Sequence, residues 1–193
     1  MAEIINELEI TALVHGGRGI GHHDGKAVFV PMTMPGDRVA CRVVKSKRRY
    51  AEAELCGIVE PAPLRREPPC PFFGSCGGCQ WQHLPYQEQV RWKEKTFTDL
   101  MTRSKVVAID RIKPIVPAPD EWNYRNRVQL KCHLTADGLV VGFYRHGSHS
   151  IVDVDKCRLV APPIQNALDL LRNELAGLPC PESVSQVDMA CGD

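Results

Sequence analysis

The sequence predicts a mainly β protein with some α. An N-terminal five-stranded OB-like barrel is followed by a cysteine-bearing loop and an incomplete α/β central domain. Three observations predict this. Short β-rich runs punctuated by glycine and proline occupy residues 4–62. Cys70, Cys76 and Cys79 crowd into one short stretch. Beyond Pro85 a helical period gives way to a hairpin, a strand and a second helix.

The barrel strands are read in order. Ile4-Ile5 and the run from Leu8 to Val14 begin it. Asp24-Gly25 is a two-residue hairpin signal before the strand Lys26–Val30. A Pro35-Gly36 turn precedes alternation at Val39, Cys41 and Val43. In the last strand Ala51, Ala53 and Leu55 alternate with Glu52 and Glu54. The Pro-rich segment 60–71 marks a boundary. A helix is predicted from Pro85, with Tyr86, Val90, Phe97, Leu100 and Met101 as its apolar face. Arg127–Thr135 and Leu139–Arg145 read as a hairpin around Asp137-Gly138, and Ser150–Val154 as a strand. Ile164, Leu168, Leu171 and Leu175 define an amphipathic helix. The final residues, from Ser183, read as a new strand without a closing element, so the chain is expected to be the front part of a longer polypeptide.

Composition narrows the class. The chain has 193 residues, a net charge of +1 and nine cysteines. No apolar run reaches the length of a membrane span, and the start shows no basic segment followed by an apolar one. A cytoplasmic setting is expected, where clustered cysteines signal metal or chemistry rather than disulfides. Near-zero charge means that any nucleic-acid surface must be local.

The local spacing is C-x5-C-x2-C, with Cys157 far downstream. Three thiolates converging on one point, with a fourth delivered by the fold, suit a 4Fe-4S cluster. Structural zinc is the alternative, although four-cysteine zinc sites usually show two close pairs. A third possibility is that no metal binds. The other cysteines, at 41, 56, 132, 180 and 191, read as ordinary packing residues, and the seven histidines lack the helical spacing of a zinc site.

Two groups of cations stand out. Lys45, Lys47, Arg48 and Arg49 sit beside Tyr50, and Arg18 lies between two glycines. On an OB-like barrel a basic loop beside an aromatic suits phosphate contact and base stacking, although a solvated hairpin tip has the same composition. Arg125, Arg127, Gln129 and Lys131 alternate and so share one strand face. That face is either simply exposed or turned toward RNA. Trp81, Trp92 and Trp122 read as core or interface residues.

With these residues laid out, the chain resembles the iron–sulfur-containing bacterial RNA (uracil-5-)-methyltransferases of the 23S ribosomal RNA type. The resemblance rests on the run Cys70–Leu84, on Asn123–Gln129, on Gly142–Arg145 and on Ile151–Cys157. It implies an RNA-binding TRAM barrel over 4–62, a linker and cluster-binding loop over 63–84, and a central domain over 85–193 that supplies the fourth cluster ligand. The implied cluster ligands are Cys70, Cys76, Cys79 and Cys157. The resemblance also implies a following Rossmann-like domain that binds S-adenosylmethionine and carries the nucleophilic cysteine. No such Gly-rich turn follows residue 160, so no catalytic residue is assigned. The implied partner is structured RNA, most naturally ribosomal, with no membrane association and a monomeric protein. A stand-alone RNA-binding module with a structural metal is the competing reading. A small iron–sulfur electron carrier would leave the barrel and basic faces unexplained.

Overall fold

The structure is a computed structural model that describes residues 3–136 and 138–192. Asp137 of the expected Asp137-Gly138 turn lies outside the described residues, as do Met1, Ala2 and Asp193. The chain is mainly β with two helices and divides into two compact units. The first comprises residues 1–69 and 80–117, the second residues 70–79 and 118–193.

The first unit holds one sheet in the order β1-β5-β6-β4-β3-β2. Its strands are β1 (Ile4–Glu9), β2 (Ala12–Leu13), β3 (Gly19–His23), β4 (Lys26–Val30), β5 (Arg38–Ser46) and β6 (Tyr50–Glu60). β1 pairs antiparallel with β5, and β2 pairs antiparallel with β3. β1 and β2 are two halves of one chain run, interrupted at Ile10-Thr11. There Ile10 donates to the Asp37 carbonyl at 2.9 Å, and Thr11 donates to the Ile20 carbonyl at 2.9 Å. The first run therefore touches both ends of the sheet, which closes the expected five-stranded barrel and removes its free edges. β4 and β6 pair in parallel, as the OB-like order requires.

Local sequence explains these elements. Asp24 and Gly25 both have positive φ, 47° and 73°, as a two-residue hairpin turn demands. Val39, Cys41, Val43, Ala51 and Ala53 point inward and form a core with Ile5, Leu8, Ile10, Val28 and Val30.

The boundary between units falls elsewhere than the sequence suggested. Helix α1 (Tyr86–Ser104) was expected to open the central domain, yet it belongs to the barrel unit. Its buried residue is Trp92, which packs with Leu13, Met34, Ala62 and Leu84. Phe97 and Leu100, expected on its apolar face, are exposed. The large indole ring captured the buried packing contact, while Tyr86, Val90 and Met101 of the predicted stripe are only half-buried.

A buried polar clasp fixes that arrangement. Asp37 is fully buried. Its carboxylate accepts from Met34 N–H at 2.8 Å and from Ala62 N–H at 2.9 Å, and it pairs with Arg65 at 2.6 Å. Arg65 also donates to the Met32 carbonyl at 3.1 Å. Arg66 Nε then donates to the Gln82 carbonyl at 2.9 Å. The chain leaving the barrel is thus tied to the segment that leads into α1.

The second unit holds a four-stranded antiparallel sheet in the order β10-β7-β8-β9. Its strands are β7 (Arg127–Thr135), β8 (Gly138–Tyr144), β9 (Ile151–Asp153) and β10 (Gln186–Ala190). Helix α2 (Pro162–Ala176) covers the inner face, where Ile164, Leu168 and Leu175 meet Val128, Leu130, Cys132 and Val141. Arg172 pins the helix through one nitrogen, donating to Asp153 and to the Val141 and Val154 carbonyls at 2.6, 2.6 and 2.9 Å. Burial would raise the Asp153 pKa. Hydrogen bonds from Arg172 and the Val141 N–H outweigh it and hold the carboxyl below its usual value. Among the described residues, no helix is long and apolar enough to cross a membrane.

Removing the clasp should be costly, because one partner of a buried pair would be stranded. Asp37→Ala is expected to lose roughly 3–5 kcal/mol in urea unfolding. Acid should act on the same unit. Burial holds the fully buried His83 at a pKa of about 4, below its usual 6.5. The unfolded chain therefore binds a proton that the folded chain refuses. Stability is expected to fall as the pH drops from about 6.5 to about 4, by on the order of 3 kcal/mol. Comparison of urea midpoints for the parent and His83→Gln across that range measures the slope, which should flatten in the variant.

Candidate RNA interface and cysteine centre

Four cysteines and two charged surfaces, one on each unit, are the candidate functional features. The cysteines all lie in the second unit. Cys70, Cys76, Cys79 and Cys157 carry no disulfide and are each half-buried. Tight turns build the loop: Phe73 N–H donates to the Cys70 carbonyl at 3.1 Å, and Cys76 N–H donates to the Phe72 carbonyl at 2.8 Å. The loop lies along the end of β8, with Cys76 bridged to Arg145 and Gly77 N–H donating to the Tyr144 carbonyl at 2.9 Å. A Cβ on Gly77 would stand 2.9 Å from that same oxygen, so only glycine permits the approach.

Electrostatics relate Cys76 to two of the other thiols. Burial pushes the Cys76 thiol up, the Gly78 N–H pulls it down, Cys157 and Cys70 raise it further, and Arg125 lowers it. Cys76 therefore lies within the fields of Cys70 and of Cys157, although Cys157 is far away in sequence. Gly78 N–H donates to the Cys76 sulfur at 3.4 Å. Cys79 follows three residues after Cys76 in the same loop. The Cys157 segment is fixed separately, its N–H donating to Gln165 Oε1 of α2 at 3.0 Å. Half-buried thiols, an N–H aimed at sulfur and a nearby guanidinium form a donor set that fits a thiolate-bound metal cluster.

Arg125 has a place different from that of its expected companions. Its backbone pairs with residues 159–161, just past Cys157, and its charge acts on Cys76. Arg127, Gln129 and Lys131 do share the outer face of β7, alternating with buried Val128, Leu130 and Cys132. Lys131 donates to Gln129 Oε1 at 3.0 Å and to Gln186 Oε1.

On the barrel, Arg18 stacks over the Phe29 ring at 5.0 Å, and Phe29 meets Tyr50 edge-on at 5.9 Å. Gly17 lies directly against Trp81, which sets the loop that carries Arg18. Lys47, Arg48 and Arg49 form an exposed loop closed by Lys47 N–H donating to the Tyr50 carbonyl at 2.8 Å. Lys45 pairs with Glu52 at 3.4 Å across β5 and β6, so its charge is partly spent. Sequence reasoning named the cations but missed Phe29 as their partner. The alternation of the β4 strand carried that signal, since Phe29 falls between inward-facing Val28 and Val30.

Residues 5–56 match the TRAM domain. A 23S rRNA (uracil(1939)-C(5))-methyltransferase of Alkalilimnicola ehrlichii is 37% identical over 190 residues, covering 97% of this chain and 42% of the relative. An uncharacterised RNA methyltransferase of Synechocystis is 42% identical over 171 residues, covering 88% of this chain and 36% of the relative. Among solved structures, the Pyrococcus abyssi tRNA (uracil-54, C5)-methyltransferase bound to S-adenosyl-L-homocysteine matches with a TM-score of 0.59 and 28% identity. That match covers 86% of this chain and 36% of the solved one. The chain is similar to the RNA (uracil-C5)-methyltransferases. It spans about two fifths or less of the length of these uracil methyltransferases and RNA methyltransferases. The TRAM match covers the barrel, while Cys70, Cys76, Cys79, Cys157 and the outer β7 face lie outside it.

The tight approach at Gly77 yields a test. Gly77→Ala should force the cysteine loop off the end of β8, at a cost of roughly 1–3 kcal/mol. The expected readout is faster labelling of the Cys76 thiol by a thiol reagent, with no change for Gly57→Ala, where a Cβ meets nothing within 4 Å.

Proposed function

We propose that the chain is the RNA-recognition part of an S-adenosylmethionine-dependent 23S rRNA (uracil-C5)-methyltransferase, working in the cytoplasm as a monomer. One observation carries this reading, the Arg18–Phe29–Tyr50 stack beside the Lys47–Arg49 loop. OB folds bind oligonucleotides on their second and third strands and on the loops after the first and fourth. Once β1 and β2 are counted as one strand, Phe29 lies on the third, Arg18 follows the first, and Lys47–Arg49 follow the fourth. Three independent segments thus bring a stacking plane and cations to one place. A guanidinium placed over an aromatic ring is a further cationic surface for an unpaired base.

The second sheet adds Arg127, Gln129 and Lys131 as a grip on the RNA. Holding a structured RNA at two places supports extrusion of the target uracil, because its ring must leave the stack before chemistry at C5. The S-adenosylmethionine site and the nucleophile belong to the expected Rossmann-like domain.

Cys70, Cys76, Cys79 and Cys157 would hold a 4Fe-4S cluster. When bound, it would supply a rigid cross-link that closes a loop of roughly 80 residues. Arg125 would offset part of its negative charge.

Three measurements test these statements. Incubation of the polypeptide carrying this chain with methyl-labelled S-adenosylmethionine and 23S-type ribosomal RNA should place label on C5 of a uridine; label on another base would overturn the reading. Anaerobically purified protein should contain about four iron and four sulfide per chain. Cys157→Ser should lose them and Cys41→Ala should keep them, whereas a single zinc would refute the cluster. For RNA contact, the Lys47→Ala/Arg48→Ala/Arg49→Ala variant should lower the salt slope of binding by roughly 0.7–0.9 per lost phosphate contact. Lys45→Ala, already paired to Glu52, should change it less.

A further inference from the structure

The outer face of the second sheet carries an aromatic group that neither the core nor the cysteine centre uses. Tyr144, at the end of β8, is 39% exposed. The Lys131 ammonium lies over its ring, 5.3 Å from the centroid. The His149 imidazole meets it edge-on, with centroids 5.3 Å apart and planes at 80°. An exposed ring between a lysine and an imidazole has the makings of a base-stacking platform.

The platform is held rigid from below and from the side. The Tyr144 carbonyl accepts from Gly77 N–H of the cysteine loop. Arg145 N–H donates to the Ser150 carbonyl at 2.8 Å, and Ser148 N–H donates to the Arg145 carbonyl at 3.1 Å. Ser150 N–H donates to Ser148 Oγ at 3.0 Å, which fixes the turn carrying His149. Lys131 is steered over the ring by the side-chain oxygens of Gln129 and Gln186. An ammonium has three donors, so one remains for a ligand. Asp188, opposite Gln129 on β10, is an acidic group on this face, and it accepts from Gln186 Nε2 at 3.0 Å. Arg127 completes the face on the same side of β7.

Resting on the RNA reading above, we infer that Tyr144 is a stacking site for one unpaired RNA base. The free Lys131 donor reaches the phosphate next to that base. This site is separate from the barrel stack, and it selects single-stranded segments or bulges because a paired base offers no free face. The cysteine loop acts here as well, since its Gly77 N–H sets the backbone of the stacking residue.

The test uses the whole chain and single-stranded oligoribonucleotides of about ten nucleotides, with and without one 5-iodouridine. Photocrosslinked peptides mapped by mass spectrometry should include Tyr144. Tyr144→Ala should weaken binding roughly 5- to 150-fold with an unchanged salt slope. Tyr144→Phe, which keeps the ring, should stay within about twofold of the parent. Lys131→Ala should lower the salt slope by about 0.7. Circular dichroism of each variant checks folding, and the Phe variant keeps the site testable should the Ala variant unfold. Crosslinks confined to the barrel, or equal affinity for parent and Tyr144→Ala, would overturn the stacking site while leaving the RNA reading intact. A parent chain that binds no RNA would overturn both.

Discussion

A carboxylate with no access to water organises the first unit. Asp37 gathers the Met34 and Ala62 N–H groups and the Arg65 guanidinium. Each donor comes from a different stretch: the turn before β5, the exit from β6 and the linker beyond it. A buried charge persists only when its partners are in place, so the three stretches cannot move independently. Through Arg66 and Gln82 the same clasp reaches the segment ahead of α1, where Leu84 and Trp92 complete a small apolar cluster. Trp81, at the rim of that cluster, backs the Gly17 turn and so sets Arg18 over Phe29. A polar contact at the base of the barrel is thereby linked to the geometry of its stacking surface.

The second unit relies on a different constraint. Its sheet is covered on one face by α2, which Arg172 locks to Asp153 and to two carbonyls. The other face is open and carries Arg127, Gln129, Lys131 and Tyr144. The cysteine loop is added at the end of β8 by backbone hydrogen bonds that tolerate no side chain at Gly77. Half-buried thiols and an exposed aromatic therefore share one strand end.

Much of this was legible in the residues. Asp24-Gly25 fixed a hairpin because both positions need positive φ. The alternation at Val39, Cys41 and Val43, and again at Val128, Leu130 and Cys132, identified the buried faces of β5 and β7. The C-x5-C-x2-C spacing picked out the loop, and the resemblance added Cys157. The face of α1 was misjudged, since Phe97 and Leu100 satisfy the helical period as well as Trp92 does. Periodicity states which residues share a face but not which of several weak faces finds a partner.

The sequence by itself determined the barrel, the hairpins, the helix positions and the inventory of thiols and cations, because these follow from local periodicity and turn chemistry. Only the tertiary structure decided how that inventory is used. It brought Cys157 to Cys76, turned Arg125 toward the thiols rather than the open face, paired Lys45 with Glu52, and set Phe29 and Tyr144 beneath their cations. These are contacts between residues distant in the chain. Their geometry depends on strand register and helix docking, which are set by packing over the whole unit and leave no trace in any local pattern.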